Sequence, residues 1–170
     1  MAGETVLVVD DEPEVADGYA LRIGDEYDVE TAYSGAEALD LIDESIDVVL
    51  LDRRMPEQAG EDVLAEIRRQ DYNPMVAMLT AVDPDVDVAT MPFDEYLVKP
   101  VQREELIETI QALVERKTLD EIERELSSKR VRRNILEVEQ PEGILEANED
   151  YQQLVADIER LERELEQYED

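Results

Sequence analysis

Five polar residues occupy the same kind of place in this chain, each being the first polar residue beyond a largely apolar run or its immediate neighbour. Asp10 and Asp11 follow Thr5–Val9, Asp52 follows Ile46–Leu51, Thr80 follows Met75–Leu79, and Lys99 follows Glu95–Val98. Clustered carboxylates repel unless a cation neutralises them, and oxygen-only ligation suits a hard ion such as Mg²⁺. A carboxylate facing such an ion can attack phosphorus, because the metal offsets charge on the incoming phosphoryl oxygens and orients them. Lys99 would then pair with one phosphoryl oxygen and the Thr80 hydroxyl would donate to another. Positioning and electrostatics are most of what phosphoryl transfer asks of a protein. In a chain with 47 acids among 170 residues, one acidic pair at a strand end is equally a solvated loop, and Lys99 with Asp52 is equally a plain salt bridge. Convergence of all five is what favours a reactive site.

Convergence requires elements that bring the five runs to one edge. Thr5–Val9 is β-branched and apolar and leads into Asp10-Asp11-Glu12-Pro13, where Pro suits the first turn of a helix. Further strands are expected over 27–32, 46–51, 75–79 and 95–98. Between them run helical stripes through Val15, Tyr19, Leu21 and Ile23, through Ala38, Leu41 and Ile42, and through Val63, Leu64 and Ile67. Leu106, Ile107, Ile110, Leu113 and Val114 follow the last strand. Ser34 with Glu37 reads as a capping box. The alternation predicts an α/β fold, a five-stranded parallel doubly wound sheet of flavodoxin-like type with helices on both faces. In such open sheets ligands sit at the carboxyl ends of the strands, where all five residues fall.

Composition removes competing chemistries. The chain contains no His and no Cys, so Cys/His zinc sites, Ser-His-Asp triads, thiol nucleophiles and disulfides are excluded. With 47 Asp plus Glu against 16 Lys plus Arg the net charge is −31, which disfavours nonspecific binding to nucleic acid or anionic membrane by the whole molecule. Only Lys99, Lys117 and Lys129 are lysines. At molar salt the Debye length shrinks to roughly 3 Å and self-repulsion is screened, so the composition reads as that of a halophile's protein. No run of ~18 apolar residues is present and Met1-Ala-Gly-Glu lacks a basic-then-apolar leader, so no membrane span and a cytoplasmic location are expected.

From about Lys117 strand-like runs stop. Leu119, Ile122 and Leu126 continue a helical stripe toward Ile135 and Val138, and Gln140-Pro-Glu-Gly143 breaks it. Tyr151, Leu154, Ile158, Leu161, Leu165 and Tyr168 then form an a/d seam flanked by Glu and Arg. Residues 117–170 are thus expected to be a helical hairpin or short coiled coil appended to a first domain over 1–116. The leftover stripe is expected to pair the hairpin with a second copy, giving a homodimer.

The first domain resembles the receiver domain of two-component response regulators. Its signature elements stand here as Val8-Val9-Asp10-Asp11-Glu12-Pro13, Leu50-Leu51-Asp52 with Met55-Pro56-Glu57 and Gly60, Leu79-Thr80-Ala81, and Tyr96-Leu97-Val98-Lys99-Pro100. The resemblance covers about residues 4 to 116. It implies that Asp52 is the phosphoacceptor and that a sensor histidine kinase is the donor. It also implies that Asp11, Asp52 and the Arg54 backbone carbonyl bind Mg²⁺, with Asp10 acting largely through water. Thr80 would move toward the phosphoryl group and Tyr96 would rotate inward as the switch aromatic, although Tyr96 also reads as an ordinary half-buried strand residue. Such a chain is a phosphorylation-controlled switch and not an enzyme with turnover.

Two features depart from the family pattern. Residues 81–98 carry two prolines and no glycine, and look about three residues short for the fourth receiver helix, so a stub is expected there. Arg53 and Arg54 directly follow the acceptor and either pair with the acidic pocket or cover it. The tail, with Ser127-Ser128 before Lys129-Arg130-Val-Arg132-Arg133, resembles the HalX domain and implies a protein-interaction output. Two alternatives stand beside it. One is a transcriptional regulator that applies the 129–133 cluster to DNA, although that cluster reads more simply as a helix face paired with glutamates. The other is a Mg²⁺-dependent phosphatase with an Asp nucleophile, disfavoured because Arg54 stands where such enzymes place a general-acid Asp.

Overall fold

β1 (Thr5–Val9) is buried at four of its five positions, and its residues alternate between two cores. Val6 and Val8 face one side, Leu7 and Val9 the other. This is the period of two that a strand imposes, applied to a strand covered on both faces. The computed structural model describes residues 3–169, with side chains through residue 167. β1 is joined by β2 (Asp28–Ala32), β3 (Val48–Leu51), β4 (Met75–Thr80) and β5 (Glu95–Val98) in the order β2-β1-β3-β4-β5, every neighbour parallel. The five-stranded parallel doubly wound sheet expected from sequence is therefore the fold.

α1 (Pro13–Ile23) and α4 (Arg103–Lys117) cover one face through Ala16, Ile23, Leu106, Ile110 and Leu113. α2 (Gly35–Leu41) and α3 (Gly60–Arg69) cover the other through Ala38, Val63, Leu64 and Ile67. Ser34 caps α2 by accepting from the Glu37 amide at 3.1 Å. The reciprocal half of the expected capping box falls one residue early, since the Glu37 carboxylate takes the Tyr33 amide at 3.4 Å.

Between β4 and β5 the described residues form no α-helix. A single 3₁₀ turn at Val86–Thr90 stands there, capped by the Asp85 carboxylate on the Asp87 amide at 3.1 Å. Pro84, Pro92 and the short span leave room for little more. Four apolar residues of this segment, Val88, Ala89, Met91 and Phe93, are nonetheless buried.

The tail covers them. α5 (Glu121–Glu139), the short α6 (Glu142–Glu146) and α7 (Glu149–Glu169) place Leu126, Leu136, Leu145, Leu154, Ile158 and Leu161 in the same core cluster as Val88 and Phe93. The seam of α7, expected to fold back on the preceding helix as a hairpin, is buried within the chain together with Leu126 and Leu136 of α5. Tyr151 and Leu165 are partly buried at its ends, and the side chain of Tyr168 lies outside the described residues. The α5 stripe also differs from its sequence reading. Val138 is 82% exposed and Leu136 is 0% exposed, because the inner face of α5 is set by packing on the 3₁₀ turn and α7, not by continuing the stripe from Leu119.

The basic cluster divides. Arg130 pairs with Glu162 at 2.6 Å, Lys129 lies 3.8 Å from Asp157, and Arg133 lies 3.8 Å from Glu137. Arg130 thus meets a glutamate of the partner helix as expected, whereas Lys129 meets an aspartate there and Arg133 a glutamate of its own helix. Arg132 turns inward and donates to the Ala89 carbonyl at 3.5 Å.

Candidate functional site

The sheet register places the site. Val9 is paired with Leu51, and the Asp52 amide donates to the Val9 carbonyl at 3.0 Å, so Asp10 and Asp52 leave adjacent strands at the same level. Thr80 is paired with Val98, and the Lys99 amide donates to the Thr80 carbonyl at 2.8 Å. A parallel sheet puts the carboxyl ends of its strands on one edge, so a polar residue after each apolar run must arrive there.

Oxygens of Asp10, Asp11 and Asp52 lie within 4.8 Å of one another. Asp10 is almost wholly buried and accepts from the Glu12 amide at 2.9 Å through Oδ1. Its Oδ2 takes the Lys99 ammonium, whose Nζ also stands 3.6 Å from Asp52 Oδ2. Thr80 is 1% exposed, and its Oγ accepts from the Val82 amide at 3.2 Å.

Burial raises the Asp52 carboxyl pKa above its ordinary value, against the opposing pull of Lys99 and of a Thr80 hydrogen bond, and the nearby Asp10 charge adds to the rise. For Lys99 burial acts downward, but the Asp10 hydrogen bond and the Asp52 charge outweigh it and raise its pKa. Three carboxylates facing one ammonium leave a local excess of negative charge, and their donor atoms are all hard oxygens. That donor set fits Mg²⁺.

The loop after Asp52 is held against α3 by close backbone contact. The Gly60 amide donates to the Arg53 carbonyl at 2.7 Å, and a Cβ on Gly60 would stand 2.2 Å from the Asp52 carbonyl oxygen and 2.8 Å from the Arg53 Cα. Only glycine permits this approach. Sequence reading noted Gly60 as part of a motif and missed this reason for it.

The two arginines part ways. The Arg54 side chain is exposed while its amide reaches Asp52 Oδ1 at 3.4 Å, which keeps its backbone beside the carboxylates. Arg53 is buried. Its Nε bonds Glu61 at 2.8 Å, one terminal nitrogen reaches Asp85 at 3.3 Å, and the other donates to the Tyr96 hydroxyl at 3.4 Å. Arg53 therefore gives its hydrogen bonds to Glu61, Asp85 and Tyr96 and none to the three clustered carboxylates. Tyr96 is 8% exposed and packs edge-on to Phe93 with ring centroids 5.5 Å apart, so it sits inward and not at the strand surface. The sequence carried no signal for the Arg53–Tyr96 contact, which joins residues 43 positions apart.

Comparison with known proteins agrees with this architecture. A response regulator receiver domain model matches residues 6–111, and a HalX domain model matches residues 115–170. A Haloferax volcanii protein, whose name marks it as a candidate transcriptional regulator, is 53% identical over 116 residues, which is 68% of this chain and 20% of that protein. This chain thus spans about a fifth of the length of that haloarchaeal relative, whose source agrees with the acidic composition. Among solved structures, a receiver domain protein from Clostridium thermocellum is 34% identical with a TM-score of 0.61, covering 68% of this chain and 97% of that one. The Thermotoga maritima response regulator TrrA, solved in complex with Mg²⁺ and BeF, is 33% identical with a TM-score of 0.59, covering 65% of this chain and 99% of its own. No helix among the described residues is long and apolar enough to cross a membrane. The chain therefore belongs to the response regulator receiver domain family and carries a HalX domain behind its receiver.

Proposed function

We propose that residues 1–116 act as a Mg²⁺-dependent phosphoacceptor whose state is passed to the helices of residues 117–170. The observation that carries this reading is the grouping of Asp10, Asp11 and Asp52 within 4.8 Å, with Lys99 bridging two of them. Asp11, Asp52 and the Arg54 carbonyl would hold the cation, with Asp10 acting through water. When bound, Mg²⁺ would offset charge on the phosphoryl oxygens during transfer. An oxygen of Asp52 attacks phosphorus while the bond to the donor breaks, which for a sensor histidine kinase is the P–N bond of a phosphohistidine. The imidazole leaves with the electron pair and takes up a proton. Lys99 holds one phosphoryl oxygen and Thr80 donates to another, drawing the loop that carries Val82 toward Asp52.

The reading makes the chain a switch, not an enzyme with turnover on a separate substrate. Output runs through protein contacts of the tail, which rests on the 3₁₀ turn after β4. The name of the Haloferax relative favours a second reading, transcriptional control. Against direct use of residues 129–133 on DNA stand the pairing of Arg130 with Glu162 and the burial of Arg132. The phosphoacceptor reading is tested by intact-mass analysis after incubation with acetyl phosphate in molar KCl. One phosphoryl group is expected with Mg²⁺ and none with chelator or in Asp52→Asn; full labelling of the Asn variant would overturn it.

A further inference from the structure

Basic residues are scarce in this chain, 16 against 47 acids, yet four arginines gather where receiver and tail meet. Arg68 from α3, Arg116 from the end of α4, and Arg124 and Arg132 from α5 stand around Asp94, which is 5% exposed. Asp94 is fully engaged. Its Oδ2 accepts from Arg68 at 2.7 Å and from the Val76 amide at 2.8 Å, and the Ser128 hydroxyl donates to its Oδ1. Arg116 donates to the Asp94 carbonyl and to Ser128 Oγ, each at 3.0 Å, and lies 3.6 Å from Glu95.

Arg124 and Arg132 are left without a carboxylate among the described ion pairs. Arg124 reaches only the Asn73 carbonyl at 3.2 Å and the Met75 sulfur at 2.9 Å. Arg132 is 6% exposed and reaches only the Ala89 carbonyl at 3.5 Å, while its buried Nε has no partner. Two glutamates line the same cleft without forming an ion pair with either arginine: Glu125 lies 3.7 Å from Lys129 and acts on Arg132 only at longer range, and Glu121 is exposed. Burial pushes both guanidiniums below their ordinary pKa, reinforced by Arg68 and, at Arg124, by Arg116, against the pull of Asp94 and, at Arg132, of the more distant Glu125 and Asp157. Buried cations held in that way gain from a bound anion.

The arginines face an open cleft of about 470 Å³ lined also by Asn73 and Ser128. We propose that this cleft binds a small multivalent oxyanion, a phosphate- or carboxylate-bearing molecule whose oxygens take the donors that Arg124 and Arg132 leave unused. Guanidinium forks match such oxygens in pairs, and the cleft lies within the size range of small-molecule sites. Arg68 on the receiver already donates to Pro92, Asn73, Pro74 and Asp94, so it would contribute charge more than donors, and the ligand would bridge it to Arg124 and Arg132 on the tail and hold the tail in place. That would give the molecule a second input, separate from Asp52.

The test is nitrogen-detected NMR of arginine side chains in the full chain, in molar KCl without divalent cation. Inorganic phosphate, a nucleoside monophosphate and citrate are titrated in turn, with matched additions of KCl as control. Saturable shifts of the Arg124 and Arg132 Nε signals are expected with at least one of the three, and about tenfold weaker binding in Arg124→Gln. Response to the two phosphates alone assigns a phosphoryl ligand, and response to citrate alone a polycarboxylate. Arg124 is half-buried and outside the Asp94–Ser128 contacts, so its replacement leaves those in place; Arg124→Lys, which keeps charge and loses the fork, should bind with intermediate affinity. Shifts that only track KCl, that never saturate, or that persist unchanged in both variants overturn the proposal.

Discussion

Arg53, the neighbour of Asp52 in sequence, donates to the hydroxyl of Tyr96 at 3.4 Å, and that hydroxyl donates onward to the Val82 carbonyl at 2.6 Å. One side chain thus connects the loop after the proposed acceptor with the loop that carries Thr80 into the 3₁₀ turn. The tail packs on that turn, so the path from Asp52 to α5 and α7 is short and built from named contacts.

Arg53→Met should loosen this connection. Glu61 and Asp85 are 40% and 50% exposed in their side chains and can rehydrate, so the stability loss should be about 1.5 kcal/mol, at the low end for charged hydrogen bonds. Amide exchange over residues 82–90 should quicken while exchange in β1 stays unchanged. Equal protection in the variant would remove Arg53 from the coupling.

Gly60→Ala should damage the site through the backbone alone. The added Cβ meets two backbone atoms that cannot rotate away, so the Asp52–Arg53 segment or α3 must shift. A loss of about 1–3 kcal/mol is expected in denaturant melts, together with slower phosphorylation by acetyl phosphate. A variant of wild-type stability and rate would show that the loop tolerates the move.

Much of this was legible before any coordinates. A parallel sheet collects the first polar residue after each apolar run, so Asp10, Asp52, Thr80 and Lys99 could be placed on one edge from their positions alone. The shortness of the element between β4 and β5 was legible too, since prolines and a short span argue locally, though not that it would be a 3₁₀ turn. The docking of the tail was not. Val88, Met91 and Phe93 are apolar residues in a segment without helical period, and nothing local says that Leu136 and Ile158 cover them. The inward turn of Arg132 was hidden for the same reason, because a basic run reads as solvated until its neighbours are known. Arg53–Tyr96 and Asp94–Ser128 join distant parts of the chain, and periodicity carries no record of such pairs.

Shared burial makes the tail part of the receiver's stability. Leu136 is 0% exposed in the cluster that includes Val88 and Phe93, so Leu136→Ala should cost about 2–5 kcal/mol. Loss should appear as one cooperative transition followed by near-UV signals of Tyr96 and Tyr151 alike. Two separated transitions would show that receiver and tail melt independently.

Asp52 sets a pH dependence whose sign follows from its raised pKa. Between the ordinary value of 3.8 and the raised folded value, the folded chain holds more protons than the unfolded one, so stability from this group falls as pH rises through that window. Without divalent cation, Asp52→Asn should therefore melt higher than wild type at neutral pH, and the gain should vanish on acidification below the ordinary carboxyl range. Added Mg²⁺ should stabilise the wild type by about 2.7 kcal/mol at a hundredfold excess over its Kd, and the variant by less. A variant that melts lower than wild type in chelator at neutral pH would contradict the assigned burial cost.

The location of the phosphoryl group tests the central claim most directly. After incubation with acetyl phosphate and Mg²⁺ in molar KCl, borohydride reduces an aspartyl phosphate to homoserine, and peptide mass mapping reads the position. Homoserine at residue 52, dependent on Mg²⁺ and absent at residues 10 and 11, is the predicted result. Homoserine at Asp10 or Asp11, or unmodified Asp52 in a chain that has gained a phosphoryl group, would contradict it.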